Sequence, residues 1–449
     1  MLDIKFIREN ADVVKKGAKD KGIEVNIDRL LEVDKMRREF IGELEGLKAA
    51  QNKLSKSKPD EKTIKELKEA KVKVKGLEEN LKDIEKEYME LMLSVPNMPA
   101  DRMPKGKGEE DNIVFKAWRP DTGYIDEKKL KYPKDSIKLM PDKLLHAEDD
   151  FKPKHHVDLG KELDIIDNEQ SAKVSGSRFC YLKNEAVLMQ YGLLDLMIKK
   201  LVREGFTPMI VPLLVKDKAL YGTSHFPGDQ DQVYKINKEN VEENQELYLI
   251  GSSEPSLFAY YMDKTLKEEE LPKKMFAYSS CFRSEVGSWG RDVRGIKRVH
   301  QFDKLEMDVV CTPEQSDQIY EELLAVNEWL LQELKLSYHL VNKCTGDAGY
   351  YATHYQCDPE VWLTGQKEFM EVMTDTNTSD YQARRLNLKY IDKEGKKGYC
   401  HTVNDTGVAM GRMLIAIIDN YQQKDGSIKV PDVLQDYVGK EVIGRKEKS

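Results

Sequence analysis

The chain has 449 residues, 40% of them hydrophobic and 34% charged. That is about three times the ~150 residues of one domain, so two or three domains are expected, and a disordered chain, a collagen-like fibre and a small disulfide scaffold are excluded. The formal charge of −8, from 72 basic and 80 acidic residues, argues against a broad basic surface for indiscriminate nucleic-acid binding but leaves room for a local patch.

No segment approaches the ~18–20 apolar residues that span a bilayer. The opening MLDIKFIREN is charged throughout and lacks the apolar core of a secretory signal. A soluble, cytoplasmic protein without membrane contact is expected. The six cysteines are scattered without a CxxC pair, and the eight histidines form no metal-spaced cluster with them. Reduced thiols buried as small hydrophobes are expected, not a structural zinc.

From Ile27 to about Val95 the chain is highly charged and helical in pattern. Val33, Phe40, Leu47 and Leu54 recur in strict sevens, and Ile64, Leu67, Ala70, Val74, Leu77, Leu81, Ile84, Tyr88, Leu91 and Val95 step mostly by threes and fours. That is the seam of a coiled coil. Between the two runs Pro59 breaks the helix, and Asp60 or Thr63 can cap the next. Two long helices joined by a short polar turn predict an antiparallel hairpin. Taken alone, such an arm is a dimerisation or spacer coiled coil with a solvated face. A second reading rests on Lys53, Lys56, Lys58, Lys62, Lys65, Lys68, Lys71, Lys73 and Lys75, a basic stripe that could track a phosphate backbone.

Pro96-Asn97-Met98-Pro99 and the polar run to about Asp111 read as a linker, and a lysine-rich stretch from about Thr122 to Ala147 reads as a solvated loop. Apolar helices and short strands dominate from Gly160. Ala186–Val202 is an amphipathic helix. Phe206–Pro212, Tyr248–Ile250, Met275–Tyr278, Phe302–Val310 and Tyr399–Val403 read as strands, and Gly407–Tyr421 as a buried helix. Adjacent strands flanked by helices predict an antiparallel sheet with packed helices, an α+β body.

Three clusters carry chemistry. The run from Met275 to Glu306 holds Arg283, Arg291, Arg294, Lys297 and Arg298 around a glycine-punctuated loop. Guanidinium groups pair bidentately with phosphate oxygens, so the loop suits a polyphosphate. Glu371, Thr374, Asp375 and Asn377 offer hard oxygen ligands of the kind Mg²⁺ prefers, near Arg384-Arg385. Asn404-Asp405-Thr406-Gly407 runs into a helix carrying Arg412. Any one of these residues alone is more simply a surface ion pair; three clusters in one chain point to a nucleotide site.

The run CFRSEVGSWGRDVRGIKRVHQFDKLEM (Cys281–Met307) resembles motif 2 of class II aminoacyl-tRNA synthetases in the form found in seryl-tRNA synthetases. TGVAMGRMLIAIIDNYQ (Thr406–Gln422) resembles their motif 3, and Gly205–Pro212 with the following ALYGTSHFPGDQDQVYKI resembles motif 1 and its sequel. CTGDAGYYATHYQCDPEVWL, SDYQARRLNLKY and the N-terminal hairpin also match, so the resemblance covers nearly the whole chain.

The resemblance implies a class II synthetase-like antiparallel sheet flanked by helices, preceded by the helical hairpin. Residues 1–111 would form a tRNA-binding domain with its arm at about 27–95, and residues 112–449 a catalytic domain that dimerises through motif 1. The implied activity is serine–tRNA ligation: ATP and L-serine give seryl-adenylate, and serine passes to the 3′ end of tRNA(Ser), with tRNA(Sec) as a second acceptor in hosts that use it. Carried over by position, Arg283 bridges the serine carboxylate and the α-phosphate, Glu285 binds the adenine amine and Phe302 stacks on adenine. Arg412, helped by Arg298, holds the γ-phosphate, while Glu371 and Thr374 hold Mg²⁺. Ser252, Glu254, Glu306 and Thr406 select serine, and Lys53, Lys56, Lys58, Lys62, Lys65 and Lys68 face the tRNA. Ser252 stands where the family usually has threonine. The Met373–Asn377 stretch replaces a serine- and cysteine-rich one, and the 122–147 stretch is an insertion. The competing readings are a paralogue that acylates a carrier protein and a non-catalytic RNA-binding homologue. The complete arm counts against the first, and the presence of Arg283, Glu306 and Arg412 against the second.

Overall fold

Asp3 opens the first helix, its carboxylate accepting the Lys5 backbone N–H at 2.8 Å, a side-chain cap for an otherwise orphaned donor. The computed structural model describes residues 1–54, 61–237, 239, 246–286, 294–348 and 351–445, with the side chains of 54 and 61–66 outside the description. Its contacts divide the chain into Met1–Met98 and Pro99–Ser449.

In the first unit α1 (Ile4–Glu9) and α2 (Ala11–Asp20) precede α3 (Ile27–Leu54) and α4 (Glu61–Ser94), which pack against each other. Leu30, Val33, Leu44, Val74 and Met92 are buried along the seam, while Phe40, Leu47, Leu77 and Ile84 are half-buried. Two helices can shield only one stripe of each other, so this graded burial is what a lone hairpin allows. Ion pairs cross the seam from Arg29 to Glu87 (2.7 Å), Arg37 to Glu85 (3.2 Å) and Lys48 to Glu78 (2.7 Å). As one number rises the other falls, which makes the pair antiparallel. Pro59, Asp60, Lys56 and Lys58 lie outside the described residues, as do the side chains of Thr63, Lys62 and Lys65. Lys53, Lys68 and Lys71 are exposed, but Lys73 is drawn to Glu43 at 2.9 Å. Part of the basic stripe is therefore neutralised within the arm.

The second unit is built on a ten-stranded sheet: β1 (Ile113–Arg119), β2 (Gly123–Tyr124), β3 (Thr207–Met209), β4 (Lys273–Phe282), β5 (Gln301–Cys311), β6 (Tyr338–Asn342), β7 (Tyr355–Leu363), β8 (Glu368–Glu371), β9 (Asp375–Asn377) and β10 (His401–Ala409). The order is β2-β1-β6-β7-β9-β10-β5-β4-β3, with β8 beside β7. All pairs are antiparallel except β3 with β4. The helices used below are α5 (Pro133–Ile137), α6 (Asn184–Arg203), α7 (Glu254–Ala259), α8 (Ser316–Glu333) and α9 (Met410–Tyr421). Met197 and Leu201 of α6, Leu323 and Leu330 of α8, and Leu414 and Ile417 of α9 join Met307, Val309, Val361 and Val403 of the sheet in one core. All six cysteines are free thiols, and all but Cys180 are buried.

Three expectations change. The strand before α9 runs on to Ala409, so Asn404–Gly407 lie on β10 and not at a helix start; Thr406 pairs with Glu306 and Val408 with Leu305, which leaves Gly407 as the extra residue at a register shift. The polar run 100–111 is part of the second unit and not a free linker, with the Thr345 N–H donating to Pro104 O at 2.9 Å and the Gly346 N–H to Gly106 O at 3.0 Å. The 122–147 stretch is not a solvated loop. It contributes β2 and α5, and its Leu130 and Met140 pack with Val114, Ala117, Val341 and Trp362, while Trp362 Nε1 donates to Pro141 O at 3.0 Å. Widely spaced apolar residues fill this small core, which is why periodicity did not reveal it.

Leu414→Ala, at a position with no exposed surface, is expected to lower the urea midpoint by an amount equivalent to about 2–5 kcal/mol. Val72→Ala, on the arm at 75% exposure, is expected to stay within about 0.5 kcal/mol of the parent.

Candidate active site

The β4–β5 hairpin pairs Cys281 with Phe302 and so brings Arg283, just past the end of β4, beside the start of β5. The Arg283 guanidinium carbon lies 5.4 Å from the Phe302 ring centroid, and its Nε donates to Gly251 O at 3.3 Å. These residues open into a cleft of 920 Å³. Its lining brings together Ser252, Glu254, Arg283, Glu285, Arg298, Phe302, Glu306, Glu371, Thr374, Thr406 and Arg412 from seven stretches of chain, including β5, β8, β10, α7 and α9.

At the floor, strand alternation puts Lys304 and Glu306 of β5 on the cleft side with Asn404 and Thr406 of β10. Lys304 Nζ lies 2.5 Å from Glu306 Oε2, with both side chains almost wholly buried, and donates to Thr406 Oγ1 at 3.3 Å. Burial pushes the Glu306 carboxyl up, against the opposing pull of the Lys304 and Arg283 charges. Glu254, at the start of α7, accepts from Gln382 Nε2 at 2.7 Å and Asn404 Nδ2 at 3.3 Å. His225 Nε2 stands 3.8 Å from the Glu254 carboxylate. Burial, reinforced by the positive charges of Arg283 and Lys304, pushes the His225 imidazole down to about 3. It is neutral at working pH, so this contact is not an ion pair.

At the opposite end Arg412, in the first turn of α9, donates to the Glu371 backbone carbonyl at 2.9 Å and to its carboxylate at 2.8 Å. Thr374 Oγ1 donates to the same carboxylate at 3.4 Å. Burial would raise Glu371, but Arg412 and Lys343 hold it below the usual carboxylate range. Glu285 closes the edge at a left-handed φ of 51°, with Arg298 Nη1 3.8 Å from its carboxylate.

Several residues of the sequence clusters fall elsewhere. Asp375 and Asn377 do not line the cleft: Asp375 is wholly buried and Asn377 donates to Tyr355 OH at 2.9 Å. On β9 they alternate away from Thr374 and Thr376, which do face it. Arg385 is engaged by the carbonyls of Tyr221 and Phe226, and Arg384 by Asp380 at 2.8 Å. Arg294 points to Asp158, 3.5 Å away, and Arg291 lies outside the described residues.

Residues 1–99 match the family model of the seryl-tRNA synthetase N-terminal domain, and residues 234–421 that of the tRNA synthetase class II core domain (G, H, P, S and T). The serine–tRNA ligase of Rubrobacter xylanophilus is 38% identical over 454 residues, covering 99% of each chain, and that of Treponema denticola is 38% identical over 99% of this chain and 100% of its own. The chain belongs to the seryl-tRNA synthetase family. Seryl-tRNA synthetase from Pyrococcus horikoshii, solved with ATP, superposes with a TM-score of 0.86 at 33% identity over the whole of both chains. The cytoplasmic serine–tRNA ligase of Naegleria fowleri, solved with AMP, gives 0.82 at 29% identity, covering 100% of this chain and 99% of its own.

Within this synthetase fold, sequence reasoning assigned no role to His225, Lys304, Asn404 or Gln382. The Lys304-Leu305-Glu306 alternation on a strand was a usable signal, because it puts the two charges on one face. Nothing local in sequence marks Gln382 as a partner of Glu254, 128 positions away. The synthetase also buries acids that do not face the cleft. Asp405 accepts two bonds from Asn327 of α8, each 2.8 Å. Both Asp375 oxygens are without a hydrogen-bond partner among the described residues. Burial, then the neighbouring Asp405 charge, pushes Asp375 far up.

A carboxyl raised on folding stays protonated in the native chain while the unfolded chain ionises near about 4. Stability then falls as pH rises above that value, by up to about 1.4 kcal/mol per pH unit and group. Asp375→Asn removes this slope. It is expected to be near neutral in stability at acid pH and stabilising at alkaline pH, read from urea midpoints; equal midpoints would mean that Asp375 is ionised in the native chain.

Proposed function

We propose that this serine–tRNA ligase carries out both of its half-reactions at the cleft floored by β5 and β10. Arg283 is the observation that carries the assignment of roles: its guanidinium sits between the Gly251-Ser252 backbone and the Phe302 ring. An amino acid against Ser252 and an adenine against Phe302 would have their carboxylate and α-phosphate brought together at that one cation. The carboxylate oxygen attacks the α-phosphorus, the bond to the β-phosphate oxygen breaks, and seryl-adenylate and pyrophosphate form. The ribose hydroxyl at the tRNA 3′ end then attacks the seryl carbonyl and AMP leaves. No covalent enzyme nucleophile is needed; the residues act by positioning and by stabilising charge.

Glu306, 2% exposed, would accept the serine hydroxyl with Thr406 and Ser252 beside it, and Glu254, fixed by Gln382 and Asn404, shapes the same pocket. Alanine would leave the buried carboxylate unpaired, which can discriminate by about 10⁴ or more. Glu285 would take the adenine amine, and Arg298 and Arg412 the terminal phosphates. Glu371 and Thr374 fit Mg²⁺, being an anionic carboxylate and a hydroxyl side by side, the hard oxygens this ion selects. Bound there with the nucleotide, Mg²⁺ would neutralise charge on the departing pyrophosphate.

Residues 1–111 would serve tRNA(Ser), and tRNA(Sec) where the host has it, through the arm lysines; an RNA backbone contact of this kind weakens as salt rises. A second copy of the chain is the expected partner on the motif 1 face. There β3 is an edge strand, and Ile210, Leu213, Leu188 and Tyr191 are each exposed, apolar side chains that a second copy would cover. Among the described residues no helix is long and apolar enough to cross a membrane, consistent with work in the cytoplasm.

The test is amino-acid-dependent ATP–pyrophosphate exchange without tRNA across serine, threonine, alanine, cysteine and glycine. Exchange with serine alone is expected, and Glu306→Ala should lower kcat/KM for serine by roughly 10- to 100-fold, the worth of a hydrogen bond to a charged group. No exchange from folded, Mg²⁺-supplied protein would overturn the reading. Deleting residues 27–95 is expected to preserve exchange and abolish tRNA charging; a folded deletion protein that loses exchange would count against this division of labour.

A further inference from the structure

Three side chains form a row across β6, β7 and β8. His339 is the register partner of Glu360, and Glu360 of Glu371. Directly opposed residues of an antiparallel pair have their Cβ atoms about 5 Å apart, and like charges so placed repel. The Glu360–Glu371 juxtaposition is therefore unfavourable unless each carboxylate has its own partner. Glu371 has Arg412 at 2.8 Å. Glu360 has His339, whose Nε2 lies 2.7 Å from Glu360 Oε2. Lys343 also lies near Glu360 but is engaged by Asp347 and, at 3.4 Å, by Asp358.

The remaining nitrogen of His339 is held by the inserted stretch. Ser136 of α5 is fully buried, and its Oγ lies 2.6 Å from His339 Nδ1 while donating to Pro133 O at 2.8 Å. A serine hydroxyl has one hydrogen. With that hydrogen on Pro133 O, the Ser136 hydroxyl turns a lone pair to Nδ1 while Nε2 meets the carboxylate, so both ring nitrogens are engaged. The ring is further clamped by Phe369 of β8, stacked at 3.5 Å and 7°.

We propose that the insertion serves the nucleotide end of the cleft: Ser136 fixes His339, His339 holds Glu360 aside, and Arg412 is thereby left to Glu371 and the phosphates. Ser136, His339 and Glu360 are positioning residues that touch no substrate. This rests on the assignment of Arg412 and Glu371 to ATP given above. A freed Glu360 carboxylate would compete for the Arg412 guanidinium, whereas a neutral amide at 360 would not.

The experiment compares Ser136→Ala, His339→Gln, Glu360→Gln and the double variant Ser136→Ala/Glu360→Gln by calorimetric ATP binding and by pyrophosphate exchange. Ser136→Ala and His339→Gln are expected to weaken ATP binding and raise its KM by roughly 10-fold, the usual penalty for removing an outer-shell partner, with the serine KM within about twofold. Glu360→Gln alone should bind ATP at least as well as the parent, and the double variant should recover the parent's ATP affinity. A packing defect would raise both KM values together and would not be rescued by Glu360→Gln, and that outcome overturns the proposal. If Ser136→Ala does not fold, His339→Gln with and without Glu360→Gln decides the same question. A parent protein inactive in exchange would instead strike at the assignment of the site itself.

Discussion

Lys304 and Glu306 meet at 2.5 Å where the floor of the cleft is almost sealed from water, and the rest of the site is arranged around that contact. A carboxylate taken out of water alone is strongly unfavourable, and breaking a buried pair by removing one member typically costs about 3–5 kcal/mol. The pair is possible because β5 alternates charge toward the cleft with Leu305, Met307 and Val309 toward the core. Once it is in place, its cation helps to keep His225 neutral, and Thr406 gains a fixed donor. Glu254 accepts from the amides of Gln382 and Asn404. A pocket of anchored, mostly acidic oxygen atoms results, with Arg283 at its mouth.

How much of this was legible in sequence depends on the range of the contacts involved. The arm was readable almost to its ends, because a coiled-coil seam is a local repeat and needs no distant partner. The β4–β5 hairpin and its arginines were readable for the same reason: motif and strand coincide. The β10 strand was half-legible. Asn404-Asp405-Thr406-Gly407 looks like a turn by residue type, yet pairing with β5 and β9 overrides that preference. β1, β6 and β7 were not identified at all, since their alternation is broken by charged residues such as Lys116 and Glu360, whose partners Glu328 and His339 lie 212 and 21 positions away in the chain.

The oxygen-rich stretch from Glu371 to Asn377 shows the same limit within a single site. Composition put four ligands there, whereas the strand places Thr374 and Thr376 on the cleft side and Asp375 and Asn377 behind it. A count of oxygen ligands overlooks the pleat. The buried Asp375 and Asp405, neighbours across β9 and β10, then lie in the layer beneath the reacting groups.

The cysteines give the body of the protein an unplanned set of internal clocks. Cys281, Cys311 and Cys357 sit on β4, β5 and β7, and Cys400 just before β10, all without exposed surface. A thiol reagent can reach such a group only when its strand opens, and strands open with different free energies. The order in which these thiols react would therefore trace the sheet from its least to its most persistent strand, without any label being added to the chain.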